Sequence, residues 1–243
     1  MSRPQLRILC FGDSLTSGYS GMGHLPSQPY SRSLSAILRA ALPAYAFDVV
    51  DDGVPGDCVT GPGFRRRLRQ AYDGAANPYN WVIILGGTND LAYANEAADI
   101  FDALEACYNL VIARGGSVLA LTVPECATKS SWVDETRRSL NDKILAHRQK
   151  NFFALDLFSK IPYHSLQEAD RERFWDDGLH LTPDGYDWMG GHVADGLLRI
   201  LKPSEPSRAR RLTSDDNRVF VEEDGSPDEI SRGYVVVRRK DLD

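Results

Sequence analysis

Residues 8–18, ILCFGDSLTSG, combine an apolar run with a tight turn that carries a serine. Four apolar residues lead directly into Gly12, Asp13 and Ser14. A continuous apolar run is typical of a strand that is buried on both faces of a parallel sheet. The turn that follows would bring a serine hydroxyl to the end of that strand. Ser14 is therefore either part of an ordinary turn or a nucleophile.

Strand-like and helix-like segments alternate along most of the chain. Further strands are predicted at 46–50, 81–85, 117–123 and 152–157, and the first strand covers 6–11. The intervening segments carry apolar residues at helical spacing, and the last helix is predicted to begin at Thr182-Pro183-Asp184, a capping residue followed by proline. This alternation predicts βαβ units and therefore an α/β fold with a five-stranded parallel sheet.

The composition changes after Pro203, so we predict a main domain over 1–202 and a C-terminal extension over 203–243. Within the extension, RVFVEE (218–223) and YVVVRRK (234–240) are predicted to be two strands of a hairpin. Two strands alone are marginally stable in water. They would have to pack on the main domain or on another chain, and the second case would give a homo-oligomer.

Charge and composition exclude several classes of protein. The net charge of −6 argues against a nucleic-acid partner, and Arg65–Arg67 with Arg69 is predicted to be a solvated helix face. No segment approaches the roughly 20 apolar residues of a membrane span, and the first residues lack the apolar core of a signal peptide. The four cysteines form no CxxC pair, so neither a zinc site nor a disulfide framework is indicated. A cytoplasmic location is expected.

Polar residues and glycines follow the predicted strands, where ligands bind in open α/β sheets. These residues are Ser14, Gly53, Gly56, Asn89, Asp90, Asp177 and His180. A serine hydroxyl becomes a good nucleophile when a base lies within about 3 Å and a third group orients that base. His180 could be the base, and an aspartate three residues earlier could orient it. Asp177 has this spacing, whereas Asp176 does not.

Four short blocks carry a resemblance to a known family. GDSLT (12–16), GVPGD (53–57), GTND (87–90) and DGLH (177–180) resemble the blocks of the SGNH, or GDSL, hydrolase superfamily. The first block is most similar to the arylesterase-like branch. The resemblance spans residues 6–201 and leaves out the C-terminal extension. It implies a flavodoxin-like three-layer α/β/α sandwich and an esterase that uses neither a metal nor an organic cofactor.

The resemblance also implies a role for each matching residue. Ser14 would be the nucleophile, His180 the general base and then acid, and Asp177 its orienting partner. The backbone N–H groups of Ser14 and Gly56 and the side-chain amide of Asn89 would form the oxyanion hole, whose donors stabilise the negative charge that acyl transfer develops. Three further residues within the blocks are interpreted as structural: Gly53 for turn geometry, and Asp13 and Asp90 for holding loops.

The expected function is that of a serine esterase acting on a small-molecule ester with a small acyl group. A carbohydrate O-acetyl esterase and a lysophospholipase could use the same residues, and a non-catalytic binding or scaffold protein could keep the same fold. His24, Phe174 and Trp175 are candidates for lining the substrate pocket. A solvated loop is the alternative for His24, and anchoring of the loop before His180 is the alternative for the two aromatic residues.

Overall fold

The computed structural model describes residues 3–74 and 78–202, together with the backbone of 212–213 and 219–220. One five-stranded sheet forms the centre of the first unit, Met1–Leu201. All of its neighbouring strands are parallel. The strands are Gln5–Gly12 (β1), Ala46–Gly53 (β2), Trp81–Leu85 (β3), Ser117–Leu121 (β4) and Phe152–Leu155 (β5).

The strand order is β2-β1-β3-β4-β5. The chain adds β2 on one side of β1 and the later strands on the other, so the order reverses between β1 and β3. A crevice opens at the carboxyl ends of the strands at such a reversal, and it is where ligands bind in open α/β sheets. The topology alone therefore brings the segments after β1 and β3 to the place where a site is expected.

Helices connect the strands, and a short 3₁₀ turn lies at Gly21–Gly23. Within the described residues the helices are Ser14–Ser17 (α1), Ser31–Ala41 (α2), Pro62–Asp73 (α3), Thr88–Ala92 (α4), Ala97–Ala113 (α5), Ser131–Ala146 (α6), Leu157–Lys160 (α7), Glu168–Phe174 (α8) and Pro183–Leu201 (α9). None of these helices combines the length and the apolar character that crossing a bilayer requires.

Two hydrophobic clusters, one on each face of the sheet, create the three layers. Because side chains alternate along a strand, Ile8 and Cys10 belong to one cluster and Leu9 and Phe11 to the other. The first cluster includes apolar residues of α2 and α9, and the second includes those of α3, α5 and α6. The predicted three-layer α/β/α sandwich and five-stranded parallel sheet are confirmed.

Strands β4 and β5 each end two residues earlier than predicted, at points where a nearby side chain accepts a backbone N–H. β4 ends at Leu121, and the N–H of Val123 donates to Asn141 Oδ1 at 2.8 Å instead of continuing the strand. β5 ends at Leu155 because Asp156 caps α7, accepting from the N–H of Ser159. Helix α8 was not predicted, since its polar sequence has no apolar stripe.

The second unit, Lys202–Asp243, contains a small antiparallel pair. Leu212–Thr213 (β6) pairs with Val219–Phe220 (β7). β7 falls within the strand predicted at 218–223. The partner predicted for it at 234–240 lies outside the described residues, so the hairpin between these two segments and an oligomer built on it stay predictions.

Candidate active site

Ser14 begins a helix immediately after the central strand. Asp13 caps α1, and its Oδ1 accepts from the N–H of Leu15 at 3.0 Å. Gly12 makes this tight turn feasible, because a Cβ there would lie 2.2 Å from Thr16 Oγ1 and 2.3 Å from the Leu85 carbonyl. The turn leaves Ser14 5% exposed at the reversal of strand order.

A chain of two hydrogen bonds connects Ser14 to an imidazole and a carboxylate. The Ser14 Oγ lies 3.0 Å from His180 Nε2, and His180 Nδ1 lies 2.7 Å from Asp177 Oδ2. With Nδ1–H donated to the carboxylate, Nε2 is left to accept the hydroxyl proton. The structure therefore brings together residues that are 166 positions apart in sequence.

The second oxygen of Asp177 is held by the backbone. Its Oδ1 accepts from the N–H groups of Leu179 at 2.9 Å and His180 at 2.7 Å. Burial acts to raise the pKa of the Asp177 carboxyl, but the hydrogen bonds from His180 and from the two backbone N–H groups outweigh it, and the pKa lies below its ordinary value. The carboxylate therefore stays ionised and fixes the orientation of the imidazole.

Both sides of the 177–180 loop are anchored. Thr182 caps α9 as predicted, since its Oγ1 accepts from the N–H of Gly185 at 3.1 Å. Trp175 is 4% exposed, forms a bridge with Leu181, and donates its Nε1–H to the Pro162 carbonyl at 3.1 Å. These contacts hold the loop against the core on either side of His180.

Gly56 lies in a turn beside the site. The N–H of Asp57 donates to the Val54 carbonyl at 3.1 Å, and Gly56 has φ +78° in the position of such turns that favours glycine. Asn89, in α4, donates one N–H of its Nδ2 to the Asp57 carbonyl at 3.0 Å. The segments that carry two of the predicted oxyanion donors are thus in direct contact.

Asp90 and Gly53 have contacts that fit the structural interpretation of both residues. Asp90 is fully buried and accepts from the N–H groups of Val59 at 2.9 Å and Thr60 at 3.0 Å, which holds the segment after Gly56. A Cβ on Gly53 would lie 2.1 Å from the Ser17 nitrogen. The end of β2 and helix α1 can approach this closely only because residue 53 has no side chain.

Tyr19 contacts His180, and no pattern in the sequence indicated this contact. Its ring centroid lies 4.7 Å from that of His180, and its carbonyl accepts from the Tyr186 hydroxyl at 2.7 Å. Asp176 also has a role that spacing did not reveal, because its Oδ2 accepts from the Gly21 N–H at 2.6 Å. The loop after Ser14 therefore packs against the imidazole of His180 and against the loop that carries it.

A cavity of about 230 Å³ adjoins the site. Its lining includes Leu15, Asn89 and Asp177, and α6 contributes the buried Arg137. A larger cavity of about 530 Å³ shares Glu125 and Arg137 with it but is not lined by Leu15, Asn89 or Asp177. Of these two cavities, the smaller is therefore the one that adjoins Asn89 and Asp177.

The three residues that were predicted to line the pocket lie elsewhere. His24 is exposed at the end of the 3₁₀ turn, Phe174 stacks on Trp188 with ring centroids 4.5 Å apart, and Trp175 is buried. None of the three is among the residues that line the 230 Å³ cavity. Their contribution to substrate binding stays a prediction.

A family profile matches the segment that contains these residues. The profile of the GDSL-like lipase/acylhydrolase family matches residues 10–188, which include Ser14, Asn89 and His180. The chain belongs to this family. This GDSL-like protein is accordingly a carboxylic ester hydrolase.

Individual relatives resemble this GDSL-like protein over most of their own length. An arylesterase from Vibrio mimicus is 25% identical over 202 residues, which cover 82% of this chain and 92% of the relative. The crystal structure of a lipolytic G-D-S-L family protein from Veillonella parvula is 22% identical with a TM-score of 0.61, covering 80% and 99%. A carbohydrate acetylesterase from Sinorhizobium meliloti is 20% identical with a TM-score of 0.57, covering 80% and 99%.

Proposed function

We propose that this chain hydrolyses esters of small acyl groups through a covalent acyl-enzyme on Ser14. The observation that carries the proposal is the hydrogen-bonded chain from Ser14 Oγ to His180 Nε2 at 3.0 Å and from His180 Nδ1 to Asp177 at 2.7 Å. A hydroxyl is activated for attack when it is hydrogen-bonded to a base and a third group orients that base.

The first half of the reaction forms the acyl-enzyme. Ser14 Oγ attacks the ester carbonyl carbon while His180 Nε2 takes its proton, and the C=O pair of electrons moves onto the carbonyl oxygen. The N–H groups of Ser14 and Gly56 and the free hydrogen of the Asn89 amide stabilise that oxyanion. When the tetrahedral intermediate collapses, the C–O bond to the alcohol breaks and His180 returns the proton to the alkoxide.

The second half releases the acid. Water attacks the acyl carbon, His180 takes one of its protons, and the collapse of the second tetrahedral intermediate breaks the bond to Ser14. His180 then returns the proton to Ser14 Oγ, which regenerates the hydroxyl. Asp177 remains a carboxylate throughout and stabilises the transient imidazolium.

The size of the neighbouring cavity supports a small substrate group. About 230 Å³ lies beside Asn89 and Asp177, and apolar side chains such as Leu15, Leu91 and Val133 line part of it. Pockets that enclose a drug-sized ligand run from about 300 Å³ upward. A short acyl chain therefore suits this space better than a long one.

Substitution of Ser14 tests the proposal. Hydrolysis of p-nitrophenyl acetate should fall by at least about 10³-fold in Ser14→Ala, because the nucleophile is lost. Ser17→Ala is the matched control, since Ser17 lies in the same helix α1, and it should keep most of the activity. Wild-type rates in the Ser14→Ala variant would contradict the proposal.

Carbohydrate O-acetyl esters are a second candidate substrate class. The cavity also contains donors and acceptors suited to sugar hydroxyls, including Thr88, Glu125, Thr128 and Arg137. Rates on acetylated sugars and on p-nitrophenyl esters of increasing chain length would compare the two classes, and lysophospholipids would complete the series. A kcat/KM that is higher on acetylated sugars than on p-nitrophenyl acetate would favour the second class.

A further inference from the structure

Arg67 on α3 is a charged side chain that extends into the region beneath the proposed oxyanion hole. The prediction of a solvated face agrees with the exposure of Arg65, Arg66 and Arg69 but is wrong for Arg67, whose side chain is 18% exposed. Its guanidinium lies 4.0 Å from the ring centroid of Phe11, a residue of the central strand. Helical spacing alone could not show that this arginine points inward.

The five N–H donors of the Arg67 guanidinium match five acceptor contacts. Nη1 donates to the carbonyl and to Oδ1 of Asp52, each at 2.6 Å. Nη2 donates to the Gly12 carbonyl at 2.8 Å and to Asp57 Oδ2 at 3.0 Å, and Nε donates to Asp57 Oδ2 at 3.3 Å. A guanidinium has five donors in a fixed planar arrangement, so this one side chain ties three backbone segments together.

Those segments are the ones that carry the proposed catalytic groups. Gly12 lies two residues before Ser14, Asp52 lies at the end of β2, and Asp57 directly follows Gly56. The Gly12 carbonyl also accepts from the N–H of Val54 at 3.1 Å, which begins the turn that contains Gly56. Arg67 therefore fixes the strand end before the nucleophile relative to the turn that presents the Gly56 N–H.

Asp57 extends the same network to Asn89. The carboxylate of Asp57 pairs with Arg67, while its carbonyl accepts one of the two amide hydrogens of Asn89 at 3.0 Å. When one hydrogen of a planar amide is held in a hydrogen bond, the direction of the other hydrogen is fixed. A shift of Asp57 would consequently move both the Gly56 N–H and the Asn89 amide.

We propose that Arg67, acting through Asp57, is a positioning residue that sets the geometry of the oxyanion hole. The inference rests on the proposed function, since it assigns Gly56 and Asn89 to oxyanion stabilisation. Arg67 touches neither the substrate nor the reacting atoms in this scheme. Because preorganised donors act mainly on the transition state, loss of Arg67 should lower kcat and leave KM nearly unchanged.

Arg67→Lys is the principal test. Lysine keeps the charge but cannot reproduce the five planar donors, so kcat on p-nitrophenyl acetate should fall about 10- to 100-fold with KM within about twofold. Arg66→Lys makes the same change on the exposed side of α3 and should leave kcat unchanged. Thermal unfolding of each variant measures its folded fraction, to which the rates are normalised.

A second variant keeps the test decisive if Arg67→Lys does not fold. Asp57→Asn retains the carbonyl that accepts from Asn89 but removes the carboxylate charge, and it should lower kcat about three- to tenfold. Where Arg67→Lys folds, the double variant should lose less than the product of the two single losses, since both act through one contact.

Binding of an alkylboronic acid distinguishes positioning from a general structural role. Its tetrahedral adduct with Ser14 places an oxygen where the oxyanion forms, so its affinity should fall in Arg67→Lys and in Asp57→Asn by about the same factor as kcat/KM. Unchanged kcat and boronate affinity in folded variants would overturn the inference, as would a rise in KM alone. Wild-type activity in Ser14→Ala would instead overturn the proposed function.

Discussion

Among single residues, Asp176 and Asp177 are adjacent acids with different partners. Asp177 accepts from the His180 ring and from two backbone N–H groups, whereas Asp176 accepts from Gly21 in the loop after Ser14. The spacing of Asp177 relative to His180 predicted the contact between these two residues from sequence. The contact of Asp176 with Gly21 joins residues 155 positions apart, so no local sequence pattern could predict it.

Amide substitutions should separate these two roles. Asp177→Asn removes the charge that stabilises the imidazolium and allows the wrong tautomer, so kcat/KM should fall by at least about 10²-fold. Asp176→Asn keeps an oxygen that can accept from Gly21 and should stay within about threefold of wild type. Steady-state hydrolysis of p-nitrophenyl acetate measures both. Equal losses in the two variants would contradict the assignment of Asp177 as the orienting group.

At the level of strands and helices, the close approach of α1 to β2 determines where Ser14 sits. The apolar runs predicted all five strands, and in the central β3 the run is continuous because that strand is buried along its whole length. The prediction ended β2 at residue 50, but the strand continues to Gly53. Residues 51–53 are polar or lack a side chain. Their pairing with β1 depends on the register of the sheet, which cannot be predicted from the spacing of apolar residues.

Two glycine-to-alanine substitutions test this packing. Gly53→Ala should destabilise the protein by roughly 1–3 kcal/mol, because its Cβ would meet backbone atoms of Ser17 at 2.1 Å and of Asp13 at 2.8 Å. Gly191→Ala in α9 meets nothing within 4 Å and should stabilise it by roughly 0.5–1 kcal/mol through helix propensity. Urea unfolding gives both values. A stable, fully active Gly53→Ala protein would contradict the close approach of α1 to β2.

Across the whole molecule, strand order assembles the site from four distant blocks. The blocks and the alternation of elements were sufficient to predict the three-layer fold and to nominate Ser14, Asp177 and His180. They could not reveal Tyr19, Arg67 or the cavity beside Asn89, since these depend on which faces of separate elements meet. The segments that carry these residues also bury carboxyl groups, and this burial affects the stability of the entire fold.

Asp13 makes the stability of the fold depend on pH. Its carboxyl is fully buried, and burial raises its pKa to about 7, compared with about 3.9 in an unfolded chain. The folded state therefore holds this proton more tightly than the unfolded state. The contribution of the protonated Asp13 carboxyl to the stability of the fold is complete below about pH 4 and is lost as the pH rises through about 7.

Asp13→Asn should remove this component of the pH dependence. The amide still provides an oxygen to accept from Leu15, so the cap of α1 is kept. The free energy of unfolding of the variant should depend less on pH between about 4 and 7 than that of the wild type. Urea unfolding at several pH values measures it, with the exposed Asp170→Asn as control. Parallel curves for the wild type and Asp13→Asn would contradict a raised pKa at Asp13.

The residue to which a covalent probe attaches tests most directly whether Ser14 is the nucleophile. A fluorophosphonate probe reacts with an activated serine, and peptide mass spectrometry identifies the residue that carries it. We expect a single modification, on the peptide that contains Ser14, and none in Ser14→Ala. A wild-type protein that hydrolyses esters while the probe attaches to another residue, or to none, would contradict Ser14 as the nucleophile.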